Sequence, residues 1–188
     1  MKNACRNAGI IFYKERFGLK KNILLIVVIV AAIASVTLLS GCSAGKKQDT
    51  GLKDGKYVAS FTTDSPMFHV NEAYHDKGIL TVKNGKMTIH ITLVSKNIVG
   101  LYQGTSKEAK NNKDKVLKPT DDKVHYDDGY DEEVYGFDVP VPYLKKDFDL
   151  ALIGTHGKWY DHKVKVSSPK KLEKGQDYEE ALKKDSKE

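Results

Sequence analysis

The pair Asn84-Gly85 constrains this chain more than any other feature, because two runs with the pattern of β-strands flank it. Both residues tolerate the positive φ angles that a two-residue hairpin turn requires. After the turn, apolar residues at 87, 89, 91 and 93 alternate with polar residues at 88, 90 and 92. The segment therefore predicts an antiparallel hairpin with one buried and one wet face.

Similar short strand patterns recur along the chain and are separated by turn signals. They cover residues 57–61, 78–82, 133–139, 148–153 and 159–166. Residues 104–118 predict a short surface helix or a loop, and Pro140 and Pro142 confine their segment to an edge or a connection. About seven to eight strands with little helix predict an all-β protein built as a β-sandwich.

The N-terminal region has the pattern of an export signal. Basic residues precede an apolar run at residues 23–39, which is shorter than the roughly 20 residues of a comfortable membrane span. The run ends in Leu39-Ser40-Gly41-Cys42. A basic region, an apolar core and small residues at the cut are typical of a secretory signal. This ending resembles the bacterial lipobox, which implies a diacylglycerol thioether on Cys42; an uncleaved membrane anchor is the alternative.

The predicted organisation follows from that cleavage point. Residues 1–41 form a lipoprotein signal peptide helix, 42–53 a flexible tether, 54–168 the β-domain and 169–188 a charged tail. Two acyl chains, each contributing about 0.8 kcal/mol per buried CH₂, hold a protein at a membrane surface. We therefore expect an extracytoplasmic protein that is anchored to the cell membrane by a lipid on Cys42.

The composition of the mature chain argues against several classes of function. Both arginines, Arg6 and Arg16, lie in the leader, and the remainder carries 25 lysines against 24 acidic residues. This balance lacks the basic footprint of a nucleic-acid-binding protein. Cys5 is removed and Cys42 is lipidated, so the domain has no disulfide and no cysteine metal site.

Common enzyme motifs are absent from the sequence. It has no G-x-S-x-G, no phosphate-binding glycine loop and no H-E-x-x-H. The acidic run at residues 127–133 lacks the ligand spacing of an EF-hand and is best interpreted as a solvated loop. The sequence therefore predicts a protein without catalytic residues.

The first candidate ligand-binding segment is residues 65–75, which join two predicted strands. It contains Met67, Phe68, His69 and Tyr74, which are unusually large apolar or aromatic groups for a merely solvated loop. These side chains either cover the end of the sandwich or form a lip over a ligand.

The second candidate segment contains Trp159, Tyr160 and His162 at the start of the last strand. Alternate residues of a strand face opposite sides. If Trp159 packs in the core, Tyr160 and His162 therefore point outward together. A phenol and an imidazole on one strand face are a plausible ligand set for iron or copper.

These segments resemble a known family. Asn71-Glu72-Ala73-Tyr74 and the run from Leu80 to Met87 are similar to the early part of a NEAT domain. Such domains are immunoglobulin-like, haem-binding modules of Gram-positive surface proteins. The resemblance covers residues 54–168. A second resemblance, to lipoproteins of Gram-positive anaerobes, rests on residues 135–142 and 157–162.

The resemblance implies an immunoglobulin-like sandwich with a haem site. The family's lip motif is Ser, four residues, then Tyr; Tyr74 matches the Tyr, and His69 stands in place of the Ser. The family's iron-binding motif is Tyr, three residues, then Tyr; Tyr160 matches the first, and Val164 replaces the second. Tyr160 would then be the axial ligand, with Met67, Phe68 and Tyr74 covering the macrocycle.

Three hypotheses follow for function. The first is binding of haem, or of another iron- or metal-bearing ligand, for transfer to an uptake permease. The second is direct metal-ion binding through His69, His75 and His162, with His90 as a possible fourth ligand. The third is a non-catalytic accessory subunit of a membrane transporter.

Overall fold

A computed structural model describes residues 50–185, and the predicted signal peptide, Cys42 and most of the tether lie outside that range. Eight strands dominate, in chain order: β1 Gly55–Thr63, β2 Lys77–Lys83, β3 Lys86–Leu93, β4 Ile98–Gln103, β5 Thr120–His125, β6 Asp131–Val141, β7 Asp147–Gly154 and β8 Trp159–Lys171. Two helices are α1, Ser106–Asn111, and α2, Tyr178–Asp185. The prediction of an all-β fold is confirmed.

The strands form one antiparallel sheet in the order β4-β7-β8-β1-β2-β3-β6-β5. The predicted hairpin is present: Lys83 pairs with Lys86, and Asn84 and Gly85 have φ angles of 54° and 74°. The sheet curls, so that Leu101 of β4 and Phe137 of β6 share one buried cluster although these strands lie far apart in the sheet order. The concave face is thus the main core.

Alternation decides which side chains enter that core. Ile89 and Ile91 of β3 are fully buried. On β8, Val164 and Val166 are buried, whereas Lys163 is exposed and Lys165 is half-buried. Tyr160 and His162 share their parity with the two valines, so they lie on the concave face. Trp159 lies on the other face and is half-buried. The case in which Trp159 packs in the core and Tyr160 and His162 point outward is therefore not the one observed.

The convex face carries a second apolar cluster under the C-terminal helix. Ala181 and Leu182 of α2 pack there with Val58 and Tyr74. The segment predicted to be a charged tail thus contains a packed helix, and β8 continues past Pro169 to Lys171. Proline has no N–H to donate to a neighbouring strand. Pro169 fits in β8 because the register between β1 and β8 shifts opposite it, between Val58 and Ser60, and the bulged residue there makes no hydrogen bond to β1.

Within residues 50–185, no helix has the length and apolar character needed to cross a membrane.

Candidate functional site

A cavity of about 610 Å³ opens at the end of the concave face where β1 and β3 finish. The loop after β1 contributes Met67, Phe68 and His69, and β8 contributes Tyr160 and His162. Five of the eight residues predicted to bind ligand or metal in these two segments therefore line one cavity, although Phe68 and His162 are 94 positions apart in the sequence. The volume lies within the roughly 300–1,000 Å³ of typical small-molecule sites.

The floor of the cavity is apolar. Phe68, Leu93 and Leu152 line it and are each less than a tenth exposed, because they also belong to the main core. Val70, two residues after Phe68, is fully buried in the same core. The loop after β1 therefore both seals the end of the core and forms one wall of the cavity.

The rim of the cavity is polar and carries both charge signs. Lys158, His69, His156 and Glu72 lie there. The ammonium of Lys158 is 5.0 Å from the centre of the Tyr160 ring, a cation–π distance. Met67 stands at the mouth with 90% of its surface exposed, so it makes almost no packing contact. An apolar floor under a polar rim suits a molecule with an apolar body and acidic groups at one edge.

His162 is the most constrained polar side chain in the cavity. Its Nδ1 lies 2.9 Å from an oxygen of Asp64, and its ring centre is 5.1 Å from that of Phe68. The other oxygen of Asp64 accepts a hydrogen bond from the Lys163 main-chain nitrogen at 2.9 Å. This main-chain bond, and next the bond from His162, hold the pKa of Asp64 below its ordinary value.

Tyr74 does not reach this cavity, which corrects the expectation that it covers the ligand. Asn71 and His75, on either side of the single turn Glu72–Tyr74, both adopt left-handed backbone angles. This turn directs the Tyr74 ring to the convex face, where it is buried in the cluster under α2. Burial there raises the pKa of the Tyr74 phenol. Trp159, on the convex face of β8, is not among the residues that line the cavity either.

The histidines proposed to bind a metal directly occupy separate places. His75 is exposed beside the turn, and His90 lies on the convex face between Asp122 and Asp138. Of the four histidines proposed as metal ligands, only His69 and His162 line the cavity. Across the part of the chain that the structure describes, no group of three His, Cys, Asp or Glu side chains is placed to hold a metal ion.

Asp64 and Lys158 are the site residues that the sequence analysis missed. Asp64 is an ordinary acid directly after a strand, and its relation to His162 depends on the pairing of β1 with β8. The position of Asp64 at a strand end is visible in the sequence, but its contact with His162 is not.

Comparison with protein-family models, curated proteins and solved structures found no match to any of them.

Proposed function

We propose that this protein is a lipid-anchored, extracytoplasmic binding protein that takes haem, or a related planar metal-bearing molecule, into the cavity and passes it to an uptake permease. The observation that carries the proposal is the shared cavity itself. The loop after β1 and the start of β8, the two segments predicted to bind a ligand, both line it, although Tyr74, which matches the family's lip Tyr, does not.

The chemistry of the cavity supports a ligand of this kind. Phe68, Leu93 and Leu152 would contact an apolar ring system, and transfer of such surface from water stabilises binding by about 25 cal/mol per Å². Lys158 at the rim would pair with carboxylates at the edge of the ring. Haem has both features, an apolar macrocycle and two propionates. We also propose that the curled sheet is a form of the immunoglobulin-like sandwich that the resemblance implies.

The first test is a titration of the full-length protein, in detergent, with haemin. We expect a stoichiometric complex with a shifted Soret band relative to haemin in detergent alone. Met67→Ala should weaken binding several-fold without changing the free energy of unfolding, because Met67 is 90% exposed and packs against almost nothing. Tyr130→Ala is the matched control, since Tyr130 is also exposed but lies in the β5–β6 turn.

The rim charge can be tested separately. Lys158→Gln should weaken haemin binding more than it weakens binding of haemin dimethyl ester, which lacks the two carboxylates. Equal losses for both ligands would remove the assigned role of Lys158. An unchanged spectrum when haemin is added to the unmodified protein would refute the haem proposal.

The membrane anchor has its own test. Cys42→Ser should abolish incorporation of labelled palmitate and move the protein out of the membrane fraction. Palmitate labelling that survives this substitution would contradict acylation at Cys42.

A further inference from the structure

Asp64 fixes which nitrogen of His162 carries the proton. Its carboxylate is held by two hydrogen bonds, from the His162 ring at 2.9 Å and from the Lys163 main chain at 2.9 Å. A second main-chain bond, from Asp64 nitrogen to Lys163 oxygen at 3.0 Å, fixes the backbone there. A carboxylate can only accept hydrogen bonds, and one oxygen of Asp64 already accepts the bond from the Lys163 main chain. His162 Nδ1 must therefore be the donor.

The second ring nitrogen of His162 is then available to a ligand. In a neutral imidazole whose Nδ1 is protonated, Nε2 carries the lone pair. Among the described residues, Nε2 has no hydrogen-bond partner, and the side chain is only 19% exposed. The Phe68 ring packs 5.1 Å from the imidazole and restricts its rotation. His162 is one of the residues that line the cavity, beside its apolar floor.

We infer that His162, positioned by Asp64, supplies the single protein ligand to a metal that enters the cavity already held in a planar chelate, and that Tyr160 forms a side wall. A carboxylate that orients the remote nitrogen of an imidazole is the usual support of a metal-ligating histidine. One imidazole suits the open axial position of a chelated metal better than a bare ion, which needs more protein ligands. This inference rests on the proposed function and departs from the Tyr160 ligation that the family resemblance implies.

The inference can be tested without any bound metal. In the ligand-free protein, the ¹⁵N shifts of the neutral His162 ring should show that the proton is on Nδ1 rather than on Nε2. Asp64→Asn should change these shifts. Asp161→Asn is the matched control, because that carboxylate neighbours His162 on β8 but caps α1 through Ser106 on the opposite face. A His162 ring that is protonated at Nε2 would overturn the inference.

The loaded protein gives the second test. With haemin as the probe, we expect the spectrum of an imidazole-ligated iron, lost in His162→Gly and restored by added imidazole. Asp64→Asn should weaken binding by about 10- to 100-fold, as expected for loss of such a supporting carboxylate. Tyr160→Phe should keep the imidazole spectrum. His125→Ala is the control, since His125 also pairs with an aspartate, Asp131, but outside the cavity.

The outcomes separate the two proposals. If haemin binds and Tyr160→Phe rather than His162→Gly removes the axial ligand, the His162 assignment is wrong and the haem-binding proposal stands. If the unmodified protein does not bind haemin, both proposals fail.

Discussion

His90 Nε2 lies 2.6 Å from a carboxylate oxygen of Asp122, although the whole of strand β6 lies between the strands that carry these two residues. The pair is possible because Gly136 of β6 has no side chain where the Asp122 carboxylate crosses. A Cβ added at Gly136 would collide with that carboxylate and would lie 2.7 Å from Thr120 Oγ1. Gly136 thus leaves the space through which strands β5 and β3 are joined on the convex face.

We expect Gly136→Ala to destabilise the protein by about 1–3 kcal/mol, the usual cost of inserting a methyl group where no space exists. In an Asp122→Ala background, the same substitution should cost less, because one of the two clashing side chains is gone. Gly154→Ala is the control, because the nearest atom would lie 3.6 Å from the new Cβ, an ordinary van der Waals distance. Urea unfolding of the four variants measures the coupling, and additive losses would contradict the explanation.

Asn71 should be a large contributor to stability for its size. It is 2% exposed, has a φ of 50°, and its side-chain oxygen accepts hydrogen bonds from Thr92 nitrogen at 2.6 Å and Thr92 hydroxyl at 3.1 Å. Asn71→Ala should lower the free energy of unfolding by about 1–3 kcal/mol, because it leaves the buried N–H of Thr92 without its acceptor. The left-handed backbone angles should cost an alanine about 1–2 kcal/mol more. Asn71→Gly should avoid the second penalty. Equal unfolding free energies for the two variants would rule out backbone strain.

The C-terminal helix should stabilise the domain. Leu182 of α2 is 7% exposed and packs on the convex face, so Leu182→Ala should cost about 2–4 kcal/mol, as for other buried leucines. Lys184→Ala, on the exposed side of the same helix, should change stability by less than about 0.5 kcal/mol. Thermal unfolding of the two variants is the measurement. Similar midpoints would mean that α2 does not contribute to the core.

Stability should depend on Tyr126 in alkaline solution. Burial, followed by a 2.9 Å hydrogen bond to Glu132, raises the pKa of Tyr126 to about 12, above its ordinary value of 10.0. A pKa raised by folding contributes stability that is complete below about pH 10 and is lost as the pH rises towards 12. The difference in unfolding free energy between the unmodified protein and Tyr126→Phe should therefore shrink between pH 9 and pH 11.5. A constant difference would contradict the assignment.

Local chemistry predicted much of the sheet. The β2–β3 hairpin followed from Asn84-Gly85 because positive φ angles and strict alternation depend only on neighbouring residues. Strands β4 and β5 were not predicted. They are the two edge strands of the sheet. Strand β5 contains Asp121, Asp122 and Lys123, and charged side chains are common on an edge strand because it is exposed to solvent. Such an edge cannot be distinguished from a loop by composition alone.

The candidate site was predictable only in part. The aromatic character of residues 67–74 indicated that this loop does more than connect two strands, but two left-handed residues divide it between opposite faces of the sheet. Which face of β8 is buried also depended on its partners, because Tyr160 and His162 share alternation with Val164. The contact between Asp64 and His162 spans 98 residues and arises from strand pairing, which neither segment specifies alone.

Strand β1 separates the point where the chain enters the domain from the cavity. Gly55 begins the strand and Thr63 ends it, immediately before the loop that carries Phe68. The eight steps from Gly55 to Thr63 span about 26 Å at about 3.3 Å per residue. The opening of the cavity therefore lies at the opposite end of β1 from the residue where the predicted tether joins the domain, so that a molecule can enter it without contact with the tether's point of attachment.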